Sequence, residues 1–243
     1  MQLSKLQEKA YETLKKNNLP IFKTKDLMLL LSIDKEKAYN LLKSLKKKKA
    51  INTAKAGLYS LHGINELAIG PYLNWPSYLS FWSALIYYGF TDQMPRDLFY
   101  ASTRYKKRIK GYKYITISKK RFFGYTKIGD IIIAEKEKAI IDSLLFPKYS
   151  GGIGELAACI KRSLEELDHE KLLDYAFKVK SKSVLRRLGF ILDTIGYKKQ
   201  ILDKLLKNIG KGYGLLDPSQ GKRNNLNKKW LLDINYDIAG RAQ

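Results

Sequence analysis

Apolar residues near the start of the chain recur at the spacing of one helix face. Leu3, Leu6, Ala10 and Leu14 are separated by steps of three and four residues, which is the period of an amphipathic helix. Ser4 can cap the first turn, since a serine oxygen can accept a hydrogen bond from a free backbone N–H at that position. The pattern predicts a first helix that ends before Pro20.

Two further helices follow at short intervals. Thr24 is a predicted N-cap with Asp26 in the first turn, and Leu27 begins the apolar side of a short second helix. Asp34 is the predicted N-cap of a third helix. The apolar positions of that helix fall at i, i+3, i+4 and i+7 and are Ala38, Leu41, Leu42 and Leu45.

The polar side of the third helix carries groups that can recognise DNA. Amide side chains can pair with adenine edges, hydroxyls can reach bases or phosphates, and lysines anchor on the backbone. Two strand-like runs, 51–53 and 58–61, follow around Gly57 and complete a predicted winged helix-turn-helix over residues 1–62. The residues predicted to contact DNA are Lys35, Lys37, Tyr39, Asn40, Lys43, Ser44, Lys47 and, on the hairpin, Lys55. A solvated lysine face, or a winged helix used only for protein contacts, would give a similar pattern.

The remainder of the chain predicts a second domain. Residues 63–76 are punctuated by Gly and Pro and read as a linker, and residues 77–243 form the second domain. Its predicted elements are a buried helix at 77–88, strands at 98–101, 112–117, 121–125 and 131–133, helices at 135–144, 156–164, 172–177, 184–195 and 201–209, and a strand at 230–234. The predicted fold class is therefore α+β: an N-terminal winged helix-turn-helix followed by a mixed α/β domain with a helical C-terminal half.

The net positive charge of the chain points to an anionic partner. The 243 residues hold 46 Lys and Arg against 23 Asp and Glu, a net charge of +23. Residues 1–62 hold 14 lysines against five acids, and residues 102–128 hold ten basic residues and no acid. An excess of this size needs counterions, and nucleic acid is the commonest polyanion inside cells.

The second basic stretch interleaves cations with tyrosines, which combines phosphate contacts with stacking surfaces. Its candidate contact residues are Arg104, Lys106, Lys107, Arg108, Lys110 and Lys113. Three interpretations remain open at this point: a second contact with DNA, an RNA-binding surface, or a solvated sheet edge that discourages strand pairing.

The sequence contains few of the residues on which catalytic, metal or cofactor sites depend. One cysteine and two histidines exclude a disulfide framework and a multi-cysteine zinc site, and we predict no metal, no cofactor and no catalytic residue. The glycine-rich run 151–154 lacks the Lys-Ser/Thr ending of a phosphate loop and predicts a turn and helix start. Asp130 and Glu135 are spaced as in some metal nucleases, but Glu137 stands where such sites place a lysine. No apolar run approaches a membrane span, and the single cysteine points to a reducing compartment, so we expect a cytoplasmic protein. Because no catalytic arrangement is evident, we do not expect an enzyme.

Eight segments follow one another along the chain: 47–51 (KKKAI), 57–61 (GLYSL), 78–85 (YLSFWSAL), 88–93 (YGFTDQ), 134–142 (AEKEKAIID), 151–155 (GGIGE), 188–192 (LGFIL) and 229–235 (KWLLDIN). In this order they resemble the AbiEi antitoxin family of abortive-infection toxin–antitoxin operons. Together they are distributed over most of the chain.

The resemblance implies an antitoxin that is also a transcriptional autorepressor. In that family the winged helix binds repeats in the promoter of its own operon, and the C-terminal domain counteracts a nucleotidyltransferase-like toxin, AbiEii, without a stable complex. Repeats would favour self-association on DNA. Two other functions fit the residues: an RNA-binding or nucleic-acid-processing protein that uses the 102–128 surface, and a stand-alone regulator that senses a small ligand.

Overall fold

A computed structural model of the chain describes residues 2–106 and 109–238. The chain is α+β and divides into two compact units between Trp75 and Pro76. The α-helices are α1 Lys5–Lys16, α2 Thr24–Leu31, α3 Lys35–Lys47, α4 Gly70–Leu73, α5 Phe81–Tyr87, α6 Lys136–Leu145, α7 Gly152–Ser163, α8 His169–Lys178, α9 Lys182–Thr194 and α10 Lys199–Leu206. The strands are β1 Ile21–Lys23, β2 Ile51–Lys55, β3 Leu58–Leu61, β4 Ser77–Leu79, β5 Leu98–Ser102, β6 Tyr112–Thr116, β7 Tyr125–Ile128, β8 Ile131–Ala134, β9 Gly214–Leu215, β10 Leu226–Asn227 and β11 Leu232–Asp233.

The first unit joins three helices to a three-stranded antiparallel sheet. Its elements follow the order α1, β1, α2, α3, β2, β3, and the strand order in the sheet is β1-β3-β2. Ser4 caps α1 as predicted, with Gln7 accepting a hydrogen bond from the Ser4 N–H at 2.9 Å. The strand β1 was not predicted, because three residues give no period and its pairing with β3 is not local.

The core of the first unit comes from the apolar faces of its helices and sheet. Its fully or nearly fully buried residues are Ala10, Leu14, Phe22, Leu27, Leu41, Leu42, Leu45, Ala50, Ile51 and Leu61. Leu6 lies outside this core with 52% of its side chain exposed, and Gln7 is buried instead. Residues 63–75, which fall in the predicted linker, contain a 3₁₀ turn at Glu66–Ala68 and the helix α4.

The second unit is built on a five-stranded mixed sheet in the order β6-β5-β4-β8-β7. The buried strand β4 lies at its centre, antiparallel to β5 and parallel to β8. Helix α6 packs against α5, α7, α8 and α9, and its residues Ala139, Ile140, Ile141 and Leu144 have no exposed surface. A small second sheet, β10-β11-β9, lies near the end of the described residues.

Most of the predicted elements of the second unit are confirmed, and two are wrong. Residues 77–79 form β4, not the first turn of a helix, because they pair with two neighbouring strands; the helix α5 begins only at Phe81. The predicted strand at 121–125 is a 3₁₀ turn at Lys119–Arg121, and the strand β7 begins at Tyr125. Within the described residues the longest helices have 13 residues, which is too short to cross a bilayer.

Candidate nucleic-acid interface

Helix α3 is fixed in position by its first turn and its apolar stripe. The Asp34 carboxylate accepts a hydrogen bond from the backbone N–H of Lys37 at 2.8 Å, and this bond lowers the pKa of Asp34 below its usual value. Ala38, Leu42 and Leu45 have at most 2% of their side chains exposed. The opposite side of the helix is therefore held facing solvent.

A ridge of three lysines and one tyrosine crosses the exposed surface of α3 obliquely, beside the exposed Glu36. Lys35, Tyr39, Lys43 and Lys47 follow one another at four-residue steps and are all exposed, Tyr39 by 48%. The Lys35 ammonium lies 5.8 Å from the centre of the Tyr39 ring, within range of a cation–π contact. The ridge therefore carries three ammonium groups and an aromatic face along a helix about 20 Å long.

Asn40 and Ser44 form the neighbouring row of the same helix. Asn40 is exposed, so its amide can reach a partner outside the protein. The Ser44 hydroxyl is half-buried and donates to the Leu41 carbonyl oxygen at 2.8 Å. Lys37 lies 3.3 Å from the Asp34 carboxylate in an exposed ion pair, which costs little to break. Of these predicted contacts, Asn40 is therefore the one best placed to recognise a base edge.

The hairpin of β2 and β3 presents the last predicted contact residue of the first unit. Lys55 is exposed at the end of β2, next to the turn at Ala56 and Gly57. Gly57 has φ +77°, a conformation that glycine adopts at little cost. A register shift between Thr53 and Lys55 bends this end of the strand.

The second basic stretch is less uniform than its sequence suggests. Arg104 and Lys110 are exposed, whereas Lys106 is half-buried. The half-buried Lys113 lies 4.9 Å from the centre of the Tyr149 ring and 5.5 Å from that of Phe99, so aromatic faces cover its ammonium. Lys107 and Arg108 were also predicted contacts and lie outside the described residues.

The second unit contains a buried polar network that the sequence did not reveal. The Asp142 carboxylate accepts from the Tyr78 hydroxyl and from the Ser80 hydroxyl, each at 2.9 Å, and forms an ion pair with Lys138. None of these four side chains has any exposed surface. Burial lowers the pKa of Lys138, and burial together with Asp142 raises that of Tyr78. Because solvent and substrates cannot reach these groups, we interpret the network as structural.

A second, partly exposed network joins the start of α6 to α8. Lys171 lies 3.1 Å from the Glu135 carboxylate and 3.6 Å from that of Glu137, and the Tyr175 hydroxyl donates to Glu135. Glu135, which is spaced from Asp130 as in a nuclease pair, is therefore engaged by a cation and a phenol. The described part of the chain contains no group of three His, Cys, Asp or Glu side chains suited to a metal ion.

Cys159, the glycine run 151–154 and His169 have structural roles in the second unit. Cys159 is fully buried in α7, and burial raises the pKa of its thiol to about 12, so it is a thiol and not a thiolate near neutral pH. The glycine run 151–154 forms a turn and the start of α7, as predicted. His169 lies in the first turn of α8, with its Nε2 2.8 Å from the Leu164 carbonyl oxygen.

Comparison with known proteins shows a likeness of fold over nearly the whole chain. No protein-family model matches the chain, and no curated protein matches its sequence. The crystal structure of the RV2827C protein from Mycobacterium tuberculosis is similar to it with a TM-score of 0.67 at 12% sequence identity, over 95% of this chain and 92% of that one. At this identity the likeness concerns the fold, which the two chains therefore share over nearly their full lengths.

Proposed function

We propose that the protein binds duplex DNA in a sequence-specific manner, with α3 in the major groove. The observation that carries the proposal is the division of α3 into a buried leucine stripe and an exposed surface that carries Lys35, Tyr39, Asn40, Lys43 and Lys47. The element order α1, β1, α2, α3, β2, β3 and the sheet order β1-β3-β2 are those expected of a winged helix. We infer that the β2–β3 hairpin is the wing.

The chemistry of the exposed row suits this role. The Asn40 amide can both donate to and accept from an adenine edge, while Lys43 and Lys47 can neutralise phosphates on either side. A helix with side chains is about 10–12 Å wide and the major groove about 12 Å wide, so α3 can enter it lengthwise. Lys55 on the hairpin would then lie beside a phosphate of the same duplex.

We further propose that the protein represses its own operon and acts as an antitoxin. The resemblance to the AbiEi family supports a promoter with repeats as the DNA target and a nucleotidyltransferase-like toxin of the AbiEii type as the functional partner, without a stable complex. In this proposal the second unit counteracts the toxin. The first unit represses the operon and so regulates synthesis of the toxin.

A gel-shift assay with the DNA upstream of the gene tests the first part. The wild-type chain should retard this fragment in the presence of excess unrelated competitor DNA. The triple variant Asn40→Ala/Lys43→Ala/Lys47→Ala should lose that retardation and remain folded, because all three side chains are exposed.

The matched control removes two lysines from α1, so that it loses as many positive charges as the α3 variant. The double variant Lys9→Ala/Lys16→Ala changes exposed lysines at a distance along the chain from α3 and should keep sequence-specific retardation. If both variants weaken binding equally, the contribution of α3 is charge alone and sequence-specific recognition by this helix is contradicted.

Co-expression with the neighbouring toxin gene tests the second part. The toxin is placed under an unrelated inducible promoter, so that repression by this protein cannot reduce its synthesis. The wild-type chain and the α3 triple variant should both restore growth, since neutralisation is assigned to the second unit. Failure of the wild-type chain to restore growth would contradict the antitoxin role.

A further inference from the structure

The segment between β9 and β10 is a loop whose backbone is held from within by two buried side chains. Asp233 and Asn235 have 4% and 0% of their surface exposed. Both belong to the motif 229–235, which the proposed function leaves without a role. Their hydrogen bonds account for the shape of the loop.

Asn235 holds the first half of this loop. Its side-chain oxygen accepts from the Asp217 N–H at 2.9 Å, and its amide nitrogen donates to the carbonyl oxygens of Asp217, Gln220 and Gly221 at 2.8–3.2 Å. One buried amide thus satisfies four backbone groups of a segment that has no regular secondary structure. Such a fully paired buried amide fixes a local conformation.

Asp233 holds the second half. Its carboxylate accepts from the backbone N–H groups of Arg223, Asn224 and Asn225, each at 3.1 Å. These are charge-assisted bonds, which are stronger than bonds between neutral groups. Since the amides point inward to Asp233, the side chains of the tip are left on the outside.

The outside of this loop is basic. Lys222 and Arg223 are exposed at its tip, and Lys211 and Lys228 are exposed on its flanks. Between residues 211 and 229 the sequence has five basic residues and a single acid, Asp217. That acid is 3% exposed, and its carboxylate accepts from the N–H and the hydroxyl of Ser219. The one carboxylate of this segment is therefore turned inward.

The residues that follow the loop, 227–230, are also anchored. Trp230 is fully buried, and its indole N–H donates to the Asp193 carboxylate of α9 at 2.8 Å. Its backbone N–H donates to the side-chain oxygen of Asn227 at 2.9 Å. The tip is thus ordered before any partner arrives, which lowers the entropic cost of binding.

We propose that this basic loop, residues 217–225, is a contact for the sugar-phosphate backbone of duplex DNA in the second unit. Lys222 and Arg223 would each neutralise a phosphate, and phosphate contacts carry no sequence information, so these two contacts are independent of sequence. The inference rests on the proposed function, in which duplex DNA is the partner of the first unit. It adds a second, non-specific contact from the second unit.

The test measures the salt dependence of binding by the full chain. Fluorescence anisotropy with a random-sequence duplex is recorded from 50 to 300 mM KCl for the wild-type chain and for Lys222→Ala/Arg223→Ala. Each phosphate contact contributes about 0.9 to the slope of log K against log salt on B-DNA, so the variant should lose about 1.8 from that slope. The control Lys199→Ala/Lys204→Ala removes two exposed lysines of α10 beside Asp203 and should leave the slope unchanged.

Each result decides for or against the proposal. A loop variant whose slope equals that of the control overturns the inference and leaves the proposed function standing, because the α3 variants test that function separately. A wild-type chain that binds no duplex at 50 mM KCl overturns both. A loss that occurs with a single-stranded RNA of equal length, but not with the duplex, overturns the assignment to DNA.

Discussion

Removal of Asp142 should be among the most destabilising single substitutions in the second unit. Asp142→Ala leaves the Lys138 ammonium without its counter-charge and the Tyr78 and Ser80 hydroxyls without their acceptor, all in a region with no exposed surface. Breaking a buried ion pair by removing one partner costs about 3–5 kcal/mol. We expect a loss of at least that size in the free energy of unfolding.

A double substitution removes the orphaned charge and leaves only the unpaired hydroxyls. Lys138→Met/Asp142→Leu replaces both charges by apolar groups of similar volume, which is often close to neutral for a buried pair. The hydroxyls of Tyr78 and Ser80 remain unpaired, as in Asp142→Ala, and each costs about 1–3 kcal/mol. The double variant should therefore be more stable than Asp142→Ala.

Urea denaturation followed by tryptophan fluorescence is the assay. Trp82 and Trp230 belong to the second unit, whereas Trp75 lies at the end of the first and is 63% exposed. The fluorescence change therefore reports mainly on the unit that contains Asp142. If Asp142→Ala costs under about 1 kcal/mol, or if the double variant loses as much as the single, the network is not the structural element inferred here.

Three further predictions concern other parts of the chain. Gly189→Ala should destabilise the second unit by about 1–3 kcal/mol, because a Cβ there would overlap the Trp230 ring; in the Trp230→Leu background the same change should cost less in urea denaturation. Cys159 has a pKa of about 12 in the folded state against 9.0, so its contribution to stability is present below pH 9 and is lost as the pH rises toward 12. Between pH 8 and pH 10 wild type should lose about 1.4 kcal/mol more than Cys159→Ala; equal losses in denaturation midpoints at the two pH values would contradict this. Asp34→Ala should cost the first unit about 1 kcal/mol through loss of the N-cap of α3, measured by thermal circular dichroism, with Lys43→Ala, at an exposed position in the middle of the same helix, as control.

The candidate interface of the first unit could be predicted from the sequence because its determinants are local. The cap at Asp34 and the leucine spacing of α3 lie within fifteen residues of one another, and together they fix which side chains face outward. The same holds for the hairpin, whose turn is set by Gly57.

The basic loop of the second unit could not be found in this way. Lys222 and Arg223 have no period, and the residues that hold them outward, Asp233 and Asn235, come after the loop in what the sequence predicts only as a short strand. A pattern of basic residues shows neither whether the backbone is ordered nor where the acids of the same segment point.

The sequence by itself determined the α+β composition of the chain, most helix positions and the outward face of α3, since helix period and capping act over a few residues. Only the tertiary structure decided that residues 77–79 form a central strand, because their hydrogen-bond partners in β5 and β8 lie more than 20 and more than 50 residues away. It also decided the pairing of Lys138 and Asp142 with Tyr78 and Ser80. Buried polar groups are stable only when they have hydrogen-bond partners. Here the partners Tyr78 and Ser80 come from a segment about 60 residues away from Asp142, and only the folded chain brings them together.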